Sequence, residues 1–276
     1  MSDRVWMVTG ANSGLGRAIA EAAIGAGDRV VAAARRTETL DDLVRAHPRQ
    51  VVPVQLDVTD HEAIRTTVAN VIAEEGRIDV LVNNAGRMHV GSVEETTDAE
   101  LRDLFEVHVF GPAALIRAVL PHMRARREGA IVQVSSLGGQ LSYGGFAAFS
   151  ASKFALEGLS EALDDEVKEF GIKVLIAEPG SFRTNLLRGY TESRRTEVYA
   201  ESSGKTRKFI DVRDGQQPGD PAKAAAAILT ALDAAETPLR LPLGGDAVDG
   251  VLAHLDQVRA GVELWEKVSR ETDFDR

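Results

Sequence analysis

Three residues in the middle of the chain have types and a spacing that could support carbonyl chemistry. Ser136 follows an apolar run, Ala130 to Val134, that is typical of a buried strand. A glycine-rich loop leads into a helical pattern from Ala147, on which Phe149 and Lys153 are four residues apart and share one face. If position 149 were tyrosine, the lysine cation would lower the pKa of the phenol, which could exchange a proton with a carbonyl oxygen. Phenylalanine has no hydroxyl, so the proton donor is missing.

The same three residues also have an ordinary structural interpretation. A serine at a strand end, an aromatic residue in the core and a lysine in solvent would look the same, because one member of the triad is absent. The choice between the two interpretations depends on the elements that would position these residues.

The chain opens with a strand, a glycine turn and a helix in direct succession. Val5 to Thr9 is a short apolar run, and Arg17 to Gly25 continues with helical periodicity. A glycine turn in this position lets the backbone approach a pyrophosphate, which the N-terminal amides of the helix would hold. A plain turn is the structural alternative, but the context predicts dinucleotide binding by Gly10, Asn12, Ser13, Gly14, Leu15 and Gly16.

The end of the second predicted strand, Arg29 to Ala34, bears on the choice of dinucleotide. An acidic side chain here would bind the adenosine ribose hydroxyls and repel a 2′-phosphate. This chain instead has Arg35 and Arg36, whose guanidinium groups can pair with phosphate. We therefore expect NADP(H) to be preferred, with NAD(H) not excluded; a solvated basic turn is the structural alternative.

Further strands alternate with helical segments, as in a parallel sheet. Val51 to Leu56 ends at Asp57 and Val58, and Asp57 could instead cap a helix that starts near Asp60. The next strands are Val80 to Val82, followed by Asn83-Asn84-Ala85-Gly86, and Ile172 to Ala177, followed by Glu178-Pro179-Gly180-Ser181-Phe182-Arg183-Thr184. A long helix is predicted from Asp98 to Met123, with a break at Gly111-Pro112.

Together these segments resemble the short-chain dehydrogenase/reductase family over nearly the whole chain. The turn from Thr9 to Gly16 is similar to the family's T-G-x-x-x-G-x-G form, and Asn83 to Gly86 is similar to its N-N-A-G motif. Ser136 and Lys153 match two members of its serine–tyrosine–lysine signature, from which Phe149 departs. The resemblance implies an α/β fold, a Rossmann-type doubly wound parallel sheet of about seven strands with helices on both faces.

The resemblance also implies roles for individual residues. Ser136 would hold a carbonyl oxygen and Lys153 the nicotinamide ribose, while Phe149 could only pack against the substrate. His108 stands where the family usually has an asparagine that holds a water leading to the active lysine, and histidine can also bind water. Tyr143 would line the substrate pocket or replace the missing acid. The remaining expected cofactor contacts are Asp57 and Val58 at adenine, Asn84, Ala85 and Gly86 beside the central sheet, and Pro179, Gly180, Phe182 and Thr184 at the carboxamide.

The rest of the chain is predicted to complete one domain, residues 1–276. Residues 185–217 correspond to the family's substrate lid. A helix, Pro221 to Ala235, and a strand, Leu239 to Leu243, precede an amphipathic tail helix at about 247–270 that could cover the pocket or meet a partner subunit. The resemblance implies a homodimer or homotetramer.

Composition limits the classes of partner. The 276 residues carry a net charge of −10 with a pI of about 5.2, which argues against nucleic acid and anionic membranes as partners. The chain has no cysteine, so disulfides and thiolate metal sites are excluded and no metal is expected. No signal peptide and no apolar segment of membrane-spanning length are expected, so the default location is cytoplasmic.

Two functions from different classes stay open at this point. The first is NADP(H)-dependent interconversion of a ketone or aldehyde and an alcohol, with bulky substrates, impaired as it would be if the tyrosine of a parent enzyme had been replaced. Losing a general acid costs a factor of about 10²–10⁴ in rate. The second is a catalytically silent NADP(H)-binding sensor or scaffold protein. Redox chemistry with Tyr143 or water as the proton donor is a third.

Overall fold

The apolar runs along the chain form the strands of one parallel sheet. The computed structural model describes residues 3–274 of the protein. Its strands are, in chain order, β1 (Val5–Thr9), β2 (Arg29–Ala34), β3 (Val51–Gln55), β4 (Val80–Asn83), β5 (His89–Val90), β6 (Gly129–Val134), β7 (Ile172–Pro179), β8 (Thr191–Glu192) and β9 (Arg240–Leu243). The helices of the same residues are α1 (Gly14–Gly25), α2 (Asp41–Ala46), α3 (His61–Glu75), α4 (Asp98–Phe105), α5 (Gly111–Arg126), α6 (Ala147–Val167), α7 (Ser203–Arg213), α8 (Pro221–Asp233) and α9 (Gly245–Arg270).

The order of the strands confirms the doubly wound fold expected from the sequence. The main sheet has the order β3-β2-β1-β4-β6-β7-β9 with every neighbouring pair parallel, and β5 pairs with β8 separately. The chain runs outward from β1 in one direction and then, from β4, in the other. Such a reversal leaves a crevice at the carboxyl ends of the central strands, where ligands bind in sheets of this kind.

Helices cover both faces of the sheet because side chains alternate along each strand. Trp6 and Val8 of β1 belong to the core under α1 and α8, whereas Val5 and Met7 belong to the core under α3 and α5. All four side chains are at most 3% exposed. Burial on both faces explains why the strand sequences read as continuous apolar runs.

The helix expected from Asp98 to Met123 is not broken at Gly111-Pro112, so that prediction is wrong. α4 and α5 are joined by a widened turn over Glu106–Phe110, in which the N–H of Gly111 donates to the carbonyl of Glu106 five residues earlier. A Cβ at Gly111 would overlap the carbonyl oxygen of Val58, so this glycine permits close packing instead of ending the helix. The widened turn carries His108, and turns of this type are frequent at functional sites.

The expectation that no segment approaches membrane-spanning length is also wrong for this helix. Asp98–Arg126, 29 residues counted through the widened turn, is long and apolar enough to cross a membrane by length and composition. However, 50% of its apolar window is buried inside the fold, where Leu115, Val119 and Met123 pack against the sheet. Its apolar character is that of a core helix.

The expected lid, residues 185–217, is more regular than its sequence indicates. It contains β8 and α7, and β8 pairs with β5 of the body. Arg207 of α7 forms an ion pair with Glu95, with Nη2 3.0 Å from Oε2 and side chains only 4% and 0% exposed. The segment is therefore attached to the body at two points.

Candidate active site

A cavity of about 400 Å³ lies at the carboxyl ends of the central strands. It is lined by all but three of the residues predicted to form the site, and the lining residues come from eight separate parts of the chain. These lining residues are Gly10, Asn12, Ser13, Gly14, Leu15, Arg35, Asp57, Val58, Asn84, Ala85, Gly86, His108, Ser136, Phe149, Lys153, Pro179, Gly180, Phe182 and Thr184. The fold thus brings together groups that are up to 174 residues apart (Gly10 and Thr184).

The three predicted residues that do not line the cavity differ in their surroundings. Gly16 lies behind the glycine turn, packed against Asn84 and the Gly10 carbonyl. Arg36 is exposed at the start of a short turn after β2. Tyr143 is 59% exposed on the loop before α6. The proposed contacts of Arg36 with cofactor and of Tyr143 with substrate stay predictions.

The glycine turn and the N-N-A-G segment are joined by hydrogen bonds around Thr9. Its Oγ1 accepts from the backbone N–H groups of Asn84 (2.9 Å) and Ala85 (3.0 Å) and donates to the carbonyl of Val82 (3.1 Å). Asn84 Nδ2 donates in turn to the Thr9 carbonyl (2.9 Å). Gly10 has φ +66°, which favours glycine, and its position leaves little room beside Asn84. These bonds fix the floor of the cavity.

The first turn of α1 faces the cavity without a side-chain cap. Ser13 is at the N-cap position but makes no capping hydrogen bond, whereas Asp60 caps α3 and Asp220 caps α8. Thr184, from the segment after β7, lies against Gly14 at 3.4 Å from the position a Cβ would take there. A helix N-terminus carries partial positive charge and N–H groups without intrahelical partners, so it suits an anionic group such as a phosphate.

Arg35 and Asp57 line another part of the cavity, at the ends of β2 and β3. Arg35 is exposed and forms no ion pair within residues 3–274. The Asp57 carboxylate accepts from the backbone N–H (3.0 Å) and hydroxyl (2.8 Å) of Thr59, and these bonds, with the Arg35 charge nearby, lower its pKa. The alternative role of Asp57 as a helix cap is wrong, because Asp60 caps α3.

Ser136, Phe149 and Lys153 come together as their spacing predicts. A Cβ placed on Gly138 would be 3.1 Å from the Phe149 ring and 3.4 Å from Ser136 Oγ, so the ring edge and the hydroxyl flank the same glycine. Lys153 Nζ is 6.0 Å from the centre of the Phe149 ring and donates to the carbonyl of Val134 (2.9 Å). The structure therefore places Ser136, Phe149 and Lys153 around one part of the cavity, where the ring of Phe149 carries no hydroxyl.

His108 is neutral, and both of its ring nitrogens have protein partners. The Arg87 N–H donates to Nε2 (3.2 Å), which places the ring proton on Nδ1, and Nδ1 then donates to Ser152 Oγ (2.8 Å). The Ser152 hydroxyl donates in turn to the Phe149 carbonyl (2.7 Å). Burial, with the nearby Lys153 charge, holds the histidine pKa well below its usual value. These partners leave His108 no proton to donate into the cavity and do not support a water-binding role like that of asparagine.

Lys153 is buried beside this histidine. Burial lowers its pKa to about 8, opposed by the negative charge of Glu157 one helical turn later. The side chain is 6% exposed. It therefore remains mostly protonated at neutral pH, and its cation lies in a poorly hydrated part of the site where charge interactions are strong.

A buried acidic cluster behind Lys153 had no signal in the sequence. Gln140 Nε2 donates to Glu178 Oε1 (2.9 Å) and Glu157 Oε2 (3.3 Å), and Arg240 Nε lies 3.2 Å from Glu157 Oε2. Burial, and then the Glu157 charge, raises the pKa of Glu178 to about 7. One arginine and one amide hold two carboxyl groups here.

This cluster predicts a specific dependence of stability on pH. Between about pH 4.5 and 7 the folded state holds a proton on Glu178 that the unfolded chain has lost, so the contribution of Glu178 to stability falls as pH rises. Glu178→Gln keeps an acceptor for Gln140 and removes the titration. As pH rises across this window, the free energy of unfolding of the variant should increase relative to that of the wild type by at most roughly 3 kcal/mol, measured by urea unfolding.

Glu161→Gln is the matched control. Glu161 also binds Arg240 (2.9 Å), but its side chain is 63% exposed, and its replacement should leave the titration of Glu178, and with it the pH dependence of the wild type, in place. An equal pH dependence for both variants would show that Glu178 is ionised like a surface carboxylate.

Two other residues of the site were missed for a common reason. Arg87 supplies the N–H that fixes the tautomer of His108, 21 residues away, and Ser152 bonds the same ring from 44 residues away. Arg87 follows the N-N-A-G segment and Ser152 precedes Lys153, but adjacency to a motif does not indicate which distant group a side chain or amide will meet.

Known proteins of one family are similar to this chain over most of its length. The family model for short chain dehydrogenase matches residues 4–195. The oxidoreductase BOA17 of Botryotinia fuckeliana is 37% identical over 96% of this chain and 98% of its own. The 3-ketodihydrosphingosine reductase of Bacteroides thetaiotaomicron is 36% identical over 88% of this chain and 89% of its own.

Solved structures of short-chain dehydrogenases are also similar to this chain. A crystal structure of a short-chain dehydrogenase from Streptomyces avermitilis superposes with a TM-score of 0.94 and 62% identity over 99% of both chains. A metagenomic short-chain oxidoreductase in complex with NADP has a TM-score of 0.62 and 36% identity, covering 66% of this chain and 85% of that one. The match to the family model over residues 4–195 and the 37% identity to a relative over 96% of the chain show that this chain belongs to the short-chain dehydrogenase family.

Proposed function

We propose that this chain binds NADP(H) in the cavity and retains the framework of a carbonyl reductase whose turnover is reduced because Phe149 replaces the general acid. The observation that carries the proposal is the joint placement of Ser136, Phe149 and Lys153 around one cavity that also receives the uncapped end of α1. The serine and the lysine of a reductase of this type are present, whereas the phenol oxygen is absent and His108 stands in place of the usual asparagine.

The cofactor assignment depends on the N-terminus of α1 and on Arg35, which line different parts of the cavity. The N-terminal amides of α1 would bind the pyrophosphate, and Thr184, against Gly14, would lie where the segment after β7 meets the cofactor. Arg35 lines the cavity, and its guanidinium forms no ion pair with any residue of the part that the structure describes. It would pair with a 2′-phosphate. The metagenomic oxidoreductase that is 36% identical was solved with NADP, which supports the same cofactor here.

At the reacting end, each side chain has one task. NADPH, when bound, supplies the hydride for a carbonyl carbon. Ser136 Oγ accepts from the Gly138 N–H (3.0 Å), so its own proton is available for a carbonyl oxygen. Lys153 Nζ uses one proton on Val134 and has two for the ribose hydroxyls. Phe149 can exclude water and pack against the substrate, but it cannot donate a proton.

The alternative, a silent NADP(H)-binding protein, has its own support. Neither candidate substitute for the acid is placed to act: His108 has both nitrogens engaged, and Tyr143 is exposed outside the cavity. Water is then the remaining proton source for reduction. A homo-oligomeric state and a cytoplasmic location remain predictions for either function.

Binding and turnover distinguish these functions. NADPH binding is measured by the change in nicotinamide fluorescence, and NADPH oxidation is followed with bulky ketones, including 3-ketodihydrosphingosine because of the Bacteroides relative. Saturable binding with slow oxidation of at least one ketone is expected. Binding with no oxidation by this chain or by Phe149→Tyr would favour the silent protein, and failure to bind either dinucleotide would contradict both functions.

The cofactor preference gives a separate prediction. Arg35→Glu should weaken NADPH binding by roughly 10–100-fold, as expected for loss of a charged hydrogen bond to phosphate, and should leave NADH binding nearly unchanged. Arg36→Glu makes the same change of charge at the next residue, which does not line the cavity, so a much smaller effect there would assign the phosphate contact to Arg35 and contradict the predicted contact of Arg36. Equal losses in the two variants would indicate general electrostatic attraction and not a phosphate contact by Arg35.

A further inference from the structure

The tail helix α9 exposes apolar side chains along its whole length. Of its 26 residues only Ala247 is buried, although the helix is about 39 Å long. Its large apolar side chains include Leu252 (58% exposed), Leu255 (53%), Val262 (64%) and Trp265 (59%). Helices in proteins are stabilised mainly by packing of an apolar face, so a helix of this length and composition requires a partner surface.

The spacing of these residues indicates what kind of surface fits. Positions alternate by three and four residues, which is the heptad pattern of a coiled-coil seam. Six apolar residues of α9 form the seam, of which Val251 is half-buried and the other five are exposed: Val248, Val251, Leu255, Val258, Val262 and Trp265. The exposed side chains of Leu252, Leu264 and Val268 lie outside the seam. A seam of this type packs best against another helix of the same pattern.

The charges of α9 select a second copy in antiparallel orientation. The first half, residues 245–258, has Asp246, Asp249 and Asp256 and no Lys or Arg, a net charge of −3. The second half, residues 259–270, has three basic and two acidic residues, a net charge of +1. A parallel pair would place −3 against −3, whereas an antiparallel pair places each acidic half on a basic half and opposes the helix dipoles.

The same charges disfavour a membrane surface. The helix has five acidic and three basic residues, and helices that lie on anionic lipid are instead rich in Lys and Arg. The N-terminal end is also held to the body, because the Asp246 carboxylate accepts from the Ser181 N–H (2.7 Å) and Gly250 packs against Leu137. The helix is therefore a fixed arm and not a segment free to fold over the cavity.

We propose that α9 pairs with α9 of a second copy of this chain about a two-fold axis, forming an antiparallel homodimer. The register that pairs all six seam residues puts Val248 opposite Trp265, Val251 opposite Val262 and Leu255 opposite Val258 of the second copy. This surface lies outside residues 4–195, the part that matches the family model. The pairing brings Trp265 of the second copy near Gly250 and hence near the Leu137 turn that follows Ser136.

A charge at the centre of the seam tests the interface. Val258→Glu should halve the molar mass of the full chain measured by light scattering after gel filtration at micromolar concentration, because two carboxylates would be buried near the axis. Gln257→Glu adds the same charge at the neighbouring residue, which is outside the seam, and should remain dimeric. Val258 is 49% exposed in the single chain, so both variants should still fold, which near-ultraviolet circular dichroism checks, and only Val258→Glu should lower the melting temperature, because it loses the second copy.

Introduced cysteines test the orientation, since the chain has none of its own. Val248→Cys with Trp265→Cys in one chain should form a disulfide-linked dimer on mild oxidation, and Val248→Cys alone should not. A link through Val248→Cys alone would show a parallel pair. A monomeric wild type, a dimeric Val258→Glu, or a wild type that is monomeric and binds phosphatidylserine vesicles would each overturn the proposal.

Discussion

Replacing Phe149 with tyrosine is expected to raise the rate of ketone reduction by about 10²–10⁴-fold, the usual contribution of a general acid. The ring already lines the cavity, with its edge beside Gly138 and Ser136 Oγ and with Lys153 Nζ 6.0 Å from its centre. His108 packs against the ring at 88° with centroids 5.7 Å apart, so the ring plane is defined. The added hydroxyl would meet a lysine that is mostly protonated and poorly hydrated, which favours proton donation.

The control for this prediction adds the same hydroxyl to the neighbouring ring. Phe146 lies 6.3 Å from Phe149, centre to centre, and does not line the cavity. Phe146→Tyr should therefore leave the rate unchanged, and NADPH affinity should be similar in both variants and the wild type. If Phe149→Tyr were no faster than Phe146→Tyr with every ketone tried, the interpretation of this chain as an impaired reductase would be wrong.

Gly16→Ala is expected to abolish NADPH binding at accessible concentrations, a loss of at least about a hundredfold, and to destabilise the fold by roughly 1–3 kcal/mol. An added Cβ would overlap Asn84 Nδ2 and the Gly10 carbonyl oxygen. Neither atom can move freely, because Asn84 is bonded to Thr9 and Gly10 is in the left-handed region. The strain would be relieved by displacing the glycine turn, which would misplace the amides that we expect to hold the pyrophosphate.

Gly25→Ala provides the comparison within the same helix. Gly25 is the last residue of α1, and a Cβ there meets nothing within 4 Å. Alanine should be neutral or slightly stabilising at this position, by up to about 1 kcal/mol, without an effect on NADPH binding. Thermal melting and fluorescence titration of both variants check this. Wild-type affinity in Gly16→Ala would mean that the dinucleotide does not bind at this turn.

Gly16→Ala and Phe149→Tyr test separate parts of the proposed function. Gly16→Ala should lose binding whether or not the chain catalyses reduction, and Phe149→Tyr should gain turnover without a change in binding. A chain that binds NADPH through the glycine turn and still gains nothing from tyrosine at 149 would be a binding protein with a reductase fold.

Local patterns in the sequence were sufficient for most of the framework. β1, the glycine turn and α1 follow from an apolar run, glycines and helical periodicity within one short stretch, and all three are confirmed. The four-residue spacing of Phe149 and Lys153 placed them on one face of α6, and the parallel sheet then brings the ends of separate strands to a single cavity. These inferences succeed because helix and strand periods depend on neighbours in the chain.

Other features depend on contacts between distant segments, and only the tertiary structure decided them. The sequence predicts a break in the helix at Gly111-Pro112. In the structure the helix continues there through a widened turn at Glu106–Phe110, and Gly111 packs on the Val58 carbonyl. The partners of His108, the burial of Glu178 beside Glu157 and the exposure of Tyr143 have no local pattern. A side chain's protonation and hydrogen bonds are set by desolvation and by groups that folding brings near it, which a linear sequence does not contain.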